Sequence, residues 1–580
     1  MTINEAQDEV IEEFSDLTDW MDKYQMLIDL GNDLDELNEK YKTEQNLIDG
    51  CQSRVWLQCD ERDGKLFFTA DSDALIVKGI IALLIRVISG HTPKEILDAD
   101  LYFIDRIGLR EHLSPTRSNG LLAMVKQIKA YALAYNVKGR RVTGMRRLFF
   151  FISVLLLNAA PIAAQNADSL AGTYLNGSRW FELADLYAAD SQRISPLLRD
   201  FSKAMLDQMF NRPRQAISSI RTLLRRHQTQ MGGGNVASMM FLMASDYSKL
   251  NRQDSAAWLL ETFLDQTKDS PQFPLRDQAR RSLDVYRALS AYRLFETDGR
   301  QRYDLPLRLE RTDSTGTLFM VPCSFNGKAS KACFDTGASY NVISTQLARK
   351  WGLRTVAHGV QVEGTARGEG DVVVADSISM GNLTMRNVPF VVLDLQANNA
   401  HAQSLMGSLE LIIGQPFLTR FARYAIDLER RAVFLYTDTV ETHEKPTLCL
   451  PNSLYAKVSR NGRVMDFAMD SGSTTSSLGT DYYRDFQSEV LAQGKWDIRG
   501  TAGYGGVSYN SVFVMPEVSL SIGSMPFSLK KVEVVAMSSH EGALTRGYGR
   551  LGNDFMQRWA RLEIDNVNMV ITLTQKKTDK

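Results

Sequence analysis

Four sequence markers recur in register between residues 304 and 575, and this tandem duplication is what most restricts the fold. Asn326-Gly327 returns as Asn461-Gly462, and Asp335-Thr336-Gly337 returns as Asp470-Ser471-Gly472. Gly364-Thr365-Ala366 returns as Gly500-Thr501-Ala502, and GQPFLTRFARYAID (414–427) as GNDFMQRWARLEID (552–565). The offsets run from 135 to 138 residues, a spacing that chance does not keep across four markers. Two similar lobes of about 130 residues are expected, at 304–440 and 441–575. Short runs broken by Gly and Asn mark both as all-β.

Within each lobe the Asn-Gly pair suits a tight hairpin. The returning strand, KASKACF or RVMDFAM, delivers an aspartate at its end, and the following glycine turns the chain. A two-residue loop at Asn326-Gly327 sets Cys323 opposite Ser330 and Cys333 opposite Met320, so no disulfide across this hairpin is expected. Related by a twofold axis, the lobes would bring Asp335 and Asp470 together. Two carboxylates that close share a proton, one serving as base toward a water and the other as acid toward a carbonyl. Such a pair titrates jointly.

Residues 304–575 resemble the pepsin and retropepsin superfamily in its small bacterial retropepsin-like form, through the motifs DTGAS and DSGST. The resemblance implies an aspartic endopeptidase acting on a peptide or protein substrate, with Asp335 and Asp470 as the catalytic pair. It implies that the Thr336 and Ser471 hydroxyls brace the two loops, beside Gly337 and Gly472. It also implies flaps near Gly364–Asp371 and Gly500–Tyr509, where only the second offers a tyrosine, Tyr504. The stretch TTSSLG after the second motif is more polar than the family's usual apolar run. The alternative is a lobe pair that binds peptides without cutting them.

At 580 residues the chain is too long for one core. Residues 1–138 read as α+β: helices over much of 5–49, strands at RVWLQCD and KLFFTA, then the helix of DSDALIVKGIIALLIRVISG. Asp71 or Ser72 is expected to cap that helix and Gly90 to stop it. Thr92-Pro93 opens a further helix, and NGLLAMVKQIKAYALAY closes the unit. Cys51 sits in DGCQSRVWL between a helical stretch and a strand, where a thiolate could meet a partner; Cys59, within a strand, is read as core.

This unit closely resembles the SufE family, in Gly50-Cys51-Gln52-Ser53 with Val55-Trp56, in DSDALIVKGIIALL and in EHLSPTRSNGLLAMVKQIKA. The resemblance implies that Cys51 accepts sulfur from a cysteine desulfurase for iron-sulfur cluster assembly, alongside an iron-sulfur scaffold. The pyridoxal phosphate belongs to the desulfurase, and no cofactor is implied for this chain. Arg117 would favour the thiolate or dock the partner, and Asp73 would cap a helix. A desulfurase regulator that transfers no sulfur is the alternative. Family members end near residue 138, and this chain continues.

Residues 139–165 form a linker of a different kind. MRRLFFFISVLLLNAAPIAAQ, from Met145, has two arginines, an apolar run and then small residues, the order of a signal peptide cut after Ala164. Residues 148–164 are also near the lower length limit of a membrane span. Arginines on the N-terminal flank keep residues 1–138 cytoplasmic and send the rest to the periplasm or beyond. Either the chain crosses a membrane once or two reading frames have been joined, with Met145 as a second start.

Residues 166–297 are helical in pattern and repeat weakly. MFNRPRQAISSIRTLL (209–224) resembles KLNRQDSAAWLLETFL (249–264), each with an Asn-Arg turn. This is similar to tetratricopeptide-type hairpins; a plain helical bundle is the alternative. A net charge of -1 gives no basic field for nucleic acid, five cysteines exclude a disulfide scaffold, and seven scattered histidines offer no metal motif.

Overall fold

The computed structural model describes the chain apart from residues 1, 16, 18–19, 36, 39–40, 44–45, 49–52, 110–120, 122–123, 126, 130, 133–161, 271–272, 274, 313–315, 364–366, 396–408, 504–505, 539–546 and 578–580. It divides into two compact units, Met1–Gly144 and Met145–Lys580.

The first unit is α+β. Helices Ile3–Ser15 and Trp20–Asn32 precede a hairpin of Val55–Arg62 and Lys65–Ser72, and the apolar helix Leu75–Ile88 fills the core. The hairpin turns on Asp63 and Gly64, both at positive φ, which leaves Cys59 buried within its strand. Gly90 follows the Leu75–Ile88 helix at φ +83. Thr92 caps Pro93–Asp98 in a capping box with Glu95.

One expectation is narrowed here and another fails. The helical reading of 5–49 holds only to Asn32; beyond it the described residues form turns, and Leu47 bridges Trp56. The Asp33 N–H still bonds the Asp29 carbonyl at 3.0 Å, and the low helix propensity of Asn32 and Asp33 disfavours further turns. Nor do Asp71, Ser72 or Asp73 cap the next helix. Its N-cap is Ala74, with no side-chain bond. Asp71 pairs instead with Lys42 and Lys78. Ser72 Oγ donates to the Arg54 carbonyl at 2.8 Å, and Asp73 Oδ1 accepts the Arg54 N–H at 2.9 Å.

The second unit begins with helices Ile162–Asn176, Trp180–Asp190, Pro196–Met209, Pro213–Lys249, Gln253–Gln266 and Arg276–Leu289. Asn211 and Asn251 take the left-handed conformation at φ 52 and 57, and Arg212 and Arg252 follow with nearly equal angles. The repeated Asn-Arg pair is thus the same turn twice. The helix from Pro213 to Lys249 breaks direction at Gly232, φ 74 and ψ 154. Among the described residues no helix is long and apolar enough to cross a membrane; the apolar run of 148–161 lies outside them.

The remainder is β-rich and bilobal. Each lobe contributes an eight-stranded sheet among the described residues, with one strand order in both. Counted along each lobe, that order is first, second, third, eighth, fourth, seventh, sixth, fifth. The Asn-Gly turns have φ of 46 and 79 at Asn326-Gly327 and 50 and 77 at Asn461-Gly462. Their register sets Cys323 against Ser330 and Cys333 against Met320, as a two-residue loop requires. A third sheet joins the lobes: Arg423–Asp427 runs antiparallel to Trp559–Asp565, with Arg423 opposite Asp565 and Asp427 opposite Arg561. Those two pairs exchange under the lobe-to-lobe offset, so a local twofold passes between the strands. Arg423 bonds Glu563 at 2.9 Å across the seam, and Arg561 approaches Asp427 at 3.6 Å.

Helices and lobes share one buried core, from Ala167 to Ile571. The Leu450 N–H donates to the Met209 carbonyl at 2.7 Å, and Asn211 Nδ2 to the Asn566 carbonyl at 2.8 Å. Arg420 of the first lobe donates to the Lys249 carbonyl and to Asn251 Oδ1, with its guanidinium over the Phe295 ring. The helical region therefore docks through the two turns that its repeat supplies.

Candidate active site

Each aspartate leaves the end of a hairpin strand, fixed by a backbone bond to the strand beside it. The Asp335 N–H donates to the Ile413 carbonyl at 3.0 Å, and the Asp470 N–H to the Leu551 carbonyl at 3.0 Å. Asp335 Oδ1 accepts the N–H groups of Gly337 and Ala338 at 2.8 and 3.0 Å. Asp470 Oδ1 accepts that of Gly472 at 3.0 Å. Each carboxylate is thus oriented by its own loop.

The loops meet face to face. A Cβ on Gly337 would lie 2.6 Å from Asp470 Cγ, and one on Gly472 would lie 2.2 Å from Asp335 Oδ2. Only glycine allows this approach. The Thr336 hydroxyl donates to the Met469 carbonyl at 2.7 Å, and the Ser471 hydroxyl to the Phe334 carbonyl at 2.6 Å. Gln415 Nε2 holds the Thr336 carbonyl and Asn553 Nδ2 holds that of Ser471. All these bonds are paired across the twofold.

The polar stretch after the second motif belongs to the same scheme. Ser476 Oγ accepts the Gly552 N–H at 3.0 Å, as Asn341 Oδ1 accepts the Gly414 N–H at 3.0 Å in the first lobe. Asp554 Oδ1 in turn accepts from the Ser476 backbone and hydroxyl. A serine needs a second polar group where asparagine bridges alone to the Pro389 carbonyl.

Enclosure by protein, and then the Asp470 charge, push the Asp335 carboxyl up to about 8, so the two carboxyls share a proton. The pair therefore offers a proton donor beside a carboxylate, the requirement for activating water against a carbonyl.

One residue of the site was not singled out from the sequence. Arg550 Nε lies 3.2 Å from Asp470 Oδ2, and both side chains are largely buried. Its signal was nonetheless present: in the internal alignment Arg550 stands where the first lobe has Ile412. Asp335, Thr336, Gly337, Asp470, Ser471 and Gly472 come together as described. Cys51, Arg117, the flap tips 364–366 and Tyr504 lie outside the described residues. Arg54, three positions after Cys51, is fastened to Asp73 by reciprocal backbone and side-chain bonds.

Two lobes with braced Asp-Thr-Gly and Asp-Ser-Gly loops define an aspartic-protease fold, joined here to a separate α+β unit. Comparison with known proteins agrees for both parts. The aspartyl protease family matches residues 321–417, and SufE, the Fe-S metabolism associated domain, matches residues 8–132. An uncharacterized SufE-like protein of Rhizobium meliloti is 41% identical over 130 residues, 22% of this chain and 93% of that protein. A second, of Rhizobium etli, is 42% identical over 130 residues, 22% of this chain and 88% of that protein. Among solved structures, the solution structure of a hypothetical protein from Thermus thermophilus is 22% identical, covering 23% of this chain and 96% of that one, with a TM-score of 0.21. A retropepsin-like aspartic protease from Rickettsia conorii is 18% identical, covering 24% and 93%, with a TM-score of 0.16. Through its first unit the chain belongs to the SufE-like family, and its C-terminal part carries an aspartyl protease domain.

Proposed function

We propose that the second unit is an aspartic endopeptidase. The observation that carries this reading is the facing pair Asp335 and Asp470 on reciprocally bonded loops. A water between the carboxylates loses a proton to Asp470 as its oxygen bonds the peptide carbonyl carbon. Asp335 gives its proton to the carbonyl oxygen, forming a gem-diol. The proton held by Asp470 then passes to the amide nitrogen as the C–N bond breaks, and a gem-diol hydroxyl returns its proton to Asp335. One water is consumed and both carboxyls are restored. The test is cleavage of a peptide pool by the full chain and by its Asp335→Asn and Asp470→Asn variants. Cutting that both substitutions abolish supports the reading. An intact pool with the unsubstituted chain sinks it and leaves a peptide-binding lobe pair.

For the first unit we propose sulfur acceptance at Cys51 from a cysteine desulfurase, ahead of an iron-sulfur scaffold. Its support is the SufE match over residues 8–132. The thiolate attacks the desulfurase persulfide, takes its outer sulfur and releases the desulfurase thiolate. Mixing with a desulfurase and free cysteine should add about 32 Da, one sulfur atom, to the peptide bearing Cys51. An unmodified Cys51 would leave a regulator without transfer. In this reading the first unit works in the cytoplasm and the second is exported, which tags at either end and cell fractionation would test.

A further inference from the structure

The two lobes are alike in backbone and unlike along one row of side chains. In the first lobe the row across the sheet beside Asp335 is Met320, Cys333, Ile412, Val342 and Val391. All five are apolar and belong to or pack against small hydrophobic clusters. In the second lobe the same ladder positions hold Tyr455, Ala468, Arg550, Ser477 and Glu533. The polar row centres on Arg550, and the small Ala468 and Ser477 flank it.

Strand Gly549–Leu551 is held on both sides, parallel to Phe467–Met469 and antiparallel to Ser477–Leu478, so Arg550 has little backbone freedom. Its Nε lies 3.2 Å from Asp470 Oδ2, while Asp470 Oδ1 is occupied by the Gly472 N–H. Asp335 has both of its backbone bonds on Oδ1. The guanidinium lies against Asp470, at the ladder position where the first lobe has the aliphatic Ile412.

We propose that Arg550 is a positioning residue that breaks the symmetry of the dyad: it keeps Asp470 as the anionic base and leaves the single shared proton on Asp335. This deepens the endopeptidase reading and rests on it. A fixed cation beside a carboxylate favours its charged form, and an aliphatic side chain in the same place does not. Among the described residues, the other ionisable groups near this row include Asp335 from the opposite loop, Tyr455 and Asp466 from the neighbouring strands, and Glu533, which Arg499 approaches at 3.6 Å. Asp466 and Glu533 are both pushed up, chiefly by burial. They add little charge on the acid side, where the effect of Arg550 is read.

The experiment is the pH dependence of kcat/KM for one peptide, with the full chain, Arg550→Met and Arg550→Lys, each checked for fold by circular dichroism. Removal of the cation should raise the acid limb by about one pH unit, a roughly tenfold loss on the acid side. Arg550→Lys should keep the limb near its original place. An Arg550→Met profile that overlays the wild type overturns the role of Arg550 and leaves the endopeptidase standing. A wild-type chain that cuts nothing at any pH overturns both. If Arg550→Met fails to fold, Arg550→Lys decides: a charge-dependent role keeps its limb, and a limb displaced by a full unit rejects that role.

Discussion

Thr336 and Ser471 hold each other by the same bond given twice. The Ser471 Oγ accepts the Thr336 N–H at 3.0 Å, and Thr336 Oγ1 accepts the Ser471 N–H at 3.0 Å. Each hydroxyl also donates onward to a carbonyl of the other lobe, so loss of either leaves buried backbone groups unpaired. Thr336→Val or Ser471→Ala should each cost about 1–3 kcal/mol of stability. Chemical denaturation of the second unit checks this. A variant as stable as the parent would mean that the brace is dispensable. Cleavage should fall more than stability, because the same bonds set the carboxylate spacing.

The Asp335 carboxyl makes the second unit sensitive to pH in a definite direction. Its ordinary value is 3.8 and its folded value about 8, raised by burial and then by Asp470. Between those values the folded chain binds more protons than the unfolded one. The favourable contribution is complete below about 3.8, declines as pH rises and is gone above about 8. Asp335→Asn cannot ionise, so its melting temperature should gain on the wild type from pH 4 to pH 8. A difference that stays flat across that range would falsify the assignment.

Arg420 fastens the first lobe to the helical region. Its guanidinium donates to the Lys249 carbonyl at 2.8 Å and lies 4.3 Å from the Phe295 ring centroid. Arg420→Met keeps the apolar stem and removes the donors, at a cost of about 1.5–3 kcal/mol. Limited proteolysis should then cut between the helices and the lobes sooner than in the parent. Unchanged cleavage times would assign the docking to the apolar core alone.

Asp73 anchors the segment that follows Cys51. It accepts the Arg54 N–H at 2.9 Å and donates its own N–H to the Arg54 carbonyl at 3.2 Å. Asp73→Ala leaves the backbone bond and removes the carboxylate. Sulfur loading of Cys51 should slow several-fold while the hairpin stays folded, measured by the rate of the mass increase under desulfurase. Loading at the parent rate would show that this anchor has no part in presenting the thiol.

The parts of this protein that follow from local rules were legible in its text. Asn-Gly at 326 and 461 fixed both hairpins and the register of Cys323 and Cys333, because this pair readily takes the two left-handed conformations of a tight two-residue loop. Repetition of the aspartate motifs fixed the number of lobes and the facing of Asp335 and Asp470, because duplicated lobes pair about a twofold. Thr92-Pro93 and Gly90 likewise marked their helix ends. The tertiary structure alone decided three things. Asp73 bonds Arg54, 19 positions away, rather than a helix terminus, because a partner across a hairpin outcompeted the local cap. The polar run after Asp470 proved to be a brace, because Asp554 arrives beside Ser476 from 78 positions on. Arg550 became part of the site because sheet register delivers it to a carboxylate 80 residues earlier. Sequence spacing carries what neighbours in the chain impose on each other, and only folding establishes which distant charges meet.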